Sequence, residues 1–98
     1  MLQLYNQKPI SIFISDRKNK VAVKFCNVAM KMKLCQFKMF NEYLLLKAEK
    51  IEAETTSVNL MLVKDSLNIA ISLNHFLQLS HAVQKVVANI QGERILKQ

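Results

Sequence analysis

The sequence predicts an α+β fold with the element order β-ββα-ββα: a five-stranded, largely antiparallel sheet with two helices on one face. Three observations carry this. Apolar residues alternate with polar ones in five short runs, the period of a half-buried strand. The period switches to that of an amphipathic helix at two places. The second strand-strand-helix run repeats the first at a shift of 39 residues without a gap: Val28, Met30, Met32 and Leu34 fall on Leu67, Ile69, Ile71 and Leu73, and Phe37 falls on Phe76. A chain of 98 residues makes one domain. Within it, residues 1–18 hold an N-terminal strand, 19–57 and 58–92 the two repeats, and 93–98 a tail.

The first strand is Pro9-Ile10-Ser11-Ile12-Phe13-Ile14-Ser15, with Leu2 and Leu4 expected to extend it backwards. Asp16-Arg17-Lys18-Asn19 is a polar turn. Lys20 to Phe25 and Val28 to Leu34 alternate in phase across Cys26-Asn27, a pair short enough for a tight turn, in which Asn tolerates positive φ. Phe37, Phe40, Leu44, Ala48 and Ile51 then lie on one helical stripe, and that helix is expected to fray near Glu52 to Thr56. Thr55-Thr56-Ser57 leads into Val58 to Val63, Lys64-Asp65-Ser66 turns, and Leu67 to Leu73 follows. Phe76, Leu79, Val83, Val86, Val87 and Ile90 form the second stripe, with Asn74 expected as its N-cap and Gly92 as the residue that ends it. Short links between strands favour antiparallel pairing, with one sheet face left open. The expected core is Ile10, Ile12, Ile14, Val21, Val23, Val28, Met30, Met32, Phe37, Phe40, Leu44, Leu60, Leu62, Leu67, Ile69, Ile71, Phe76, Leu79 and Val83.

Charge is distributed unevenly. Residues 1–50 carry ten basic and three acidic side chains, and residues 51–98 carry four of each, so the whole formal charge of +7 sits in the first half. Such asymmetry suggests a directional contact with an anionic partner. Alternation puts Ser11, Phe13, Ser15, Lys20, Ala22, Lys24, Ala29, Lys31 and Lys33 on the open face. Lysines neutralise phosphates and a ring stacks on bases, so Lys20, Lys24, Lys31, Lys33 and Phe13, with Arg17 and Lys18 in the adjoining turn, are the candidate nucleic-acid-binding residues. The plainer reading is a solvated surface, and twelve Lys against two Arg lean that way, because Arg is the better reader of phosphates and bases.

The open face of the last two strands holds Asn59, Met61, Val63, Asn68, Ala70 and Ser72, neutral and mildly apolar. The first helix adds a second apolar stripe of Met39, Tyr43 and Leu46. Met61, Val63, Ala70, Met39, Tyr43 and Leu46 are therefore the candidate seam of a homodimer. Fold by itself fixes no function, and a protein-interaction or dimerisation domain stands beside the nucleic-acid reading.

Catalytic chemistry is not legible. His75 and His81 are six residues apart on one helix and project on different faces, Cys26 and Cys35 lack metal-ligand spacing, and no nucleophile-base set can be proposed. The single glycine excludes a Gly-rich phosphate loop. The expectation is a non-enzyme with no cofactor, no metal and no small-molecule substrate. Apolar stretches are too short to span a bilayer, and the start of the chain does not read as a secretory signal. Two cysteines make no disulfide framework, so the expected setting is the cytoplasm, away from membranes.

The run ISIFISDRKNKVAVKF, followed by VAMKMKLCQFKMFNEYLLL, resembles the core of the PC4-type transcriptional coactivators over residues 9–51. That family pairs a lysine-bearing four-stranded sheet with a helix entered after a Leu-x-x-x-aromatic turn; here Leu34 and Phe37 stand one residue closer. The resemblance implies a dimeric single-stranded DNA binder with Lys20, Lys24, Lys31 and Lys33 facing the DNA. The second helix departs from that pattern. The stretch FCNVAMKMKLCQFKMFNEYLLL is also similar to a family of short uncharacterised Bacteroidota proteins with an F-x-N-V-x-L-x-L strand and a Phe-rich helix, which implies a cytosolic bacterial protein.

Overall fold

The structure is a computed structural model that describes residues 2–15, 17, 19–26, 28–62 and 67–96, with backbone alone for 67 and 91–96. Among the described residues six strands and two helices follow in the order β1 (Leu2–Gln7), β2 (Ile10–Ile14), β3 (Lys20–Phe25), β4 (Val28–Lys33), α1 (Leu34–Glu49), β5 (Ser57–Leu62), β6 (Leu67–Ser72) and α2 (Leu73–Leu96). The α+β class holds, with antiparallel pairing throughout. The single five-stranded sheet does not: β1-β2-β3-β4 form one meander and β5-β6 a separate two-stranded hairpin.

The sixth strand is the segment expected to prolong the first. Residues 2–7 instead fold back through the Lys8-Pro9 turn, whose peptide bond is cis, and pair with β2. The pairing slips between Gln3↔Phe13 and Tyr5↔Ile12, so a bulge falls at Leu4 and puts Leu2 and Tyr5 on the same face. The chain reverses next at Ser15, outside β2, whose Oγ accepts from the backbone N–H groups of Asn19 and Lys20. Asn27 and the Lys64-Asp65-Ser66 turn lie outside the described residues. In the tight turn after β3, Cys26 takes the left-handed conformation, at φ 52°.

The β4-α1 and β6-α2 junctions fall 39 residues apart, at Leu34 and Leu73, and each helix opens in the same way. Leu34 N–H donates to the carbonyl of Asn19 at 3.0 Å, and Leu73 N–H to that of Thr56 at 3.0 Å, in each case the residue just before the hairpin's first strand. The first strands differ: β3 shifted by 39 would be 59–64, whereas β5 is 57–62. The longer second turn takes up that slip of two, which preserves alternation, so the burial phase still matches.

Three helix-boundary expectations are corrected. Ser72 caps α2, its Oγ accepting from His75 N–H at 3.1 Å, and Asn74 lies inside the helix. The helix does not stop at Gly92 but continues to Leu96, so most of the expected tail is helical; one interior glycine costs only about 1 kcal/mol, which a long helix sustains. α1 ends at Glu49, short of Ile51, which packs against the core from the loop.

One apolar cluster joins all the layers. α1 packs on β3 and β4, α2 on β1 and β2, and α2 also on both strands of the hairpin, while the helices contact each other. Ile10, Ile12, Ile14, Val21, Val23, Met30, Phe37, Phe40, Leu44, Leu60, Leu62, Phe76, Leu79 and Val83 are buried as expected, joined by Phe25, Val58, Ala82, Val86 and Val87. Val28, Met32, Ile69 and Ile71 are only partly buried, and the side chain of Leu67 is outside the described set. Among the described residues no helix is long and apolar enough to cross a membrane.

Candidate nucleic-acid interface

The pairing register brings the expected basic residues onto one face. Paired residues in an antiparallel sheet point to the same side. Gln3, Phe13, Ala22 and Lys31 therefore form one row across the meander; Asn6, Ser11, Lys24 and Ala29 form a second; Lys20 and Lys33 stand opposite each other in a third. The helix-facing rows are the apolar ones, such as Ile12-Val23-Met30. None of these ten outer positions holds an acidic residue. The four lysines are exposed, and Phe13 is half-buried between the strands on either side.

Two details shape this face. Lys24 Nζ lies 5.7 Å from the centroid of the Phe13 ring, a cation–π contact that sets an ammonium group beside the aromatic surface. Lys20 and Lys33 are directly opposed like charges, an arrangement that destabilises a sheet unless an anion sits between them. Ala22, flanked by Phe13 and Lys31 in its row, is buried although it belongs to the outer side. Arg17 is exposed in the turn after β2, and Lys18 is outside the described residues.

The residues expected to form a dimer seam gather elsewhere. Met39 and Leu46 on α1 are 67% and 59% exposed, and Met61 on β5 is 49% exposed. Tyr43 is half-buried among them, its hydroxyl accepting from Met61 N–H at 2.9 Å, with Lys47 Nζ 5.8 Å from its ring. Ala70 shares the outer face of the hairpin with Met61, and Val63 is outside the described residues. Met39, Tyr43 and Met61 line a groove of about 470 Å³ together with Met30, Met32 and Phe40.

A contact between distant residues was not visible in the sequence. Cys26 Sγ lies 3.8 Å from His75 Nδ1, because the β3-β4 turn reaches the first turn of α2. Forty-nine residues separate the two, and only the docking of α2 against the strands brings them together. His81 is apart from them, beside Tyr5 and Lys8. Among the described residues no group of three or more His, Cys, Asp and Glu side chains is placed to hold a metal ion. Compared with protein-family models, curated proteins and solved structures, the chain matches none of them.

Proposed function

We propose that the chain is a non-enzymatic module that takes single-stranded DNA or RNA on the outer face of β1-β4. The carrying observation is the set of four exposed lysines around Phe13 on a face without acidic residues. Lys20 and Lys33 repel each other across the β3-β4 pair, and a phosphate between them turns that repulsion into attraction on both sides. Lys24 leaves the Phe13 ring for a phosphate when a base takes its place by stacking, so one small movement exposes both binding elements. Four antiparallel strands running into a helix is also the order that the PC4-type resemblance implies, which supports the same reading.

The test is fluorescence anisotropy with labelled oligonucleotides over a salt series. Four lysine-phosphate contacts release counterions with a log-log slope of about −3 on single strands, so affinity falls about 50-fold between roughly 50 and 200 mM salt. Changing Lys24, Lys31 and Lys33 to Ala is expected to reduce that slope to about −1. Absence of binding at low salt overturns the proposal and leaves the lysines as a solvated face.

A second reading, protein-protein contact, is favoured by one specific observation. Met39, Leu46 and Met61 are large apolar side chains left exposed on α1 and β5, not on the meander that carries the lysines.

A further inference from the structure

We propose that the groove between β4 and β5 receives an extended acidic segment of a partner protein, which adds as a new strand to the edge of β4. The inference rests on the protein-contact reading; it shares Lys31 and Lys33 with the nucleic-acid one but does not require that one to hold.

The edges of the meander are unequal. β1 is broken by its bulge, which spoils an edge for further pairing. β4 runs for six residues in unbroken register with β3, and among the described residues no strand is hydrogen-bonded to its other side. Every second residue of β4 therefore turns its N–H and C=O away from β3, toward the groove side. Across the groove β5 is not paired to β4 either; Met61 N–H is satisfied by a side chain, the Tyr43 hydroxyl, in place of a strand. The gap thus lies between two strand edges and is walled by α1.

Its lining identifies what fits. Met30 and Met32 from β4, Met39 and Tyr43 from α1, and Met61 from β5 give a wall of flexible thioethers that adapts to varied apolar side chains. Lys31 lines the same groove, and Lys33 lies next along β4 on the outer side. A segment pairing with β4 places alternate side chains on the two faces. Apolar residues at one set of positions reach the methionines, and acidic residues at the other set meet Lys31 and Lys33. A second copy of this chain presents lysines to lysines if it pairs through β4, and each copy carries a net charge of +7. The lysines that deter self-pairing of the edge are thus the ones that admit an acidic strand.

The probe is a labelled peptide of about eight residues that alternates Glu and Val, long enough to span β4. Its binding to the full chain is followed by anisotropy and by hydrogen exchange at the β4 amides. Controls replace every Glu with Lys, or place Pro at alternate positions to remove strand donors. Because Met39 and Met61 are exposed, M39E and M61E retain the fold, as circular dichroism checks, and each weakens the Glu/Val peptide at least about tenfold, whereas M39K does not. Oligonucleotide affinity is read in parallel and changes little in M39K, so failure of one proposal does not mimic failure of the other. Saturable binding that slows exchange in β4, with both controls inactive, is the expected result. Overturning results are no binding, binding of the Lys/Val peptide with equal strength, binding without protection of β4, or sedimentation of the chain as a dimer that M39E and M61E dissociate.

Discussion

At the scale of single residues, backbone conformation and hydrogen bonding decide more than side-chain type. Cys26 occupies the left-handed region at φ 52°, where a non-glycine residue costs about 1–2 kcal/mol and a β-branched one more. Cys26→Val is therefore expected to lower stability by about 1–2 kcal/mol in urea denaturation, while Cys26→Gly is neutral or stabilising. If both variants unfold at the wild-type midpoint, the turn does not hold that conformation in solution. Alternation predicts a turn at Cys26-Asn27, in which Asn27, the residue that best tolerates positive φ, lies outside the described residues. The placing of the turn was legible because alternation keeps its phase across two residues; the positive φ at Cys26 was not, since it goes with how the turn docks, Cys26 N–H being held by the carbonyl of Pro9 at 3.2 Å. The lysine face was legible for the same reason as the turn, since parity alone sends Lys20, Lys24, Lys31 and Lys33 to one side. The approach of Cys26 to His75 was not, because no local pattern links them.

At the scale of elements, boundaries follow from who satisfies the backbone. α2 begins directly after β6, and Ser72 supplies its first hydrogen bond. Ser72→Ala is expected to cost about 1 kcal/mol, read as a lower urea midpoint with unchanged m-value, whereas Asn74→Ala changes little because Asn74 is not the cap. Equal loss in both variants, or loss only in Asn74→Ala, contradicts the cap. β1 was not legible as a strand of its own because its bulge breaks the alternation: Leu2 and Tyr5 share a face three residues apart, a spacing that the period of a regular strand does not describe. The division into two sheets was equally hidden. Alternation states which side a residue faces, but not which strand edges meet, and the groove beside β4 exists only because two edges do not.

At the scale of the molecule, α2 is the common neighbour. It touches β1, β2, β5 and β6 as well as α1, so the small hairpin has no core of its own apart from this helix. One buried cluster then runs from Ile10 to Val87. The chain is expected to unfold in one transition with a stability of about 5–15 kcal/mol. It has no Trp and two Tyr, so Tyr5→Phe and Tyr43→Phe each leave one reporter, in β1 or between α1 and β5. Each reporter should follow the same midpoint as circular dichroism of its own variant; a Tyr43 signal that melts earlier shows that the hairpin comes away first.

Among the described residues every hydrogen-bonded strand pair joins neighbours in the chain: β1 to β2, β2 to β3, β3 to β4 and β5 to β6. None of these pairings waits for a long loop to close, and low contact order of this kind goes with rapid folding. The hairpins can zip independently, each with its helix secured by a single bond back to the residue before its first strand. The long-range step left is the landing of α2 on β1, β2 and α1, and the rate of that landing is expected to set the pace at which the finished molecule emerges.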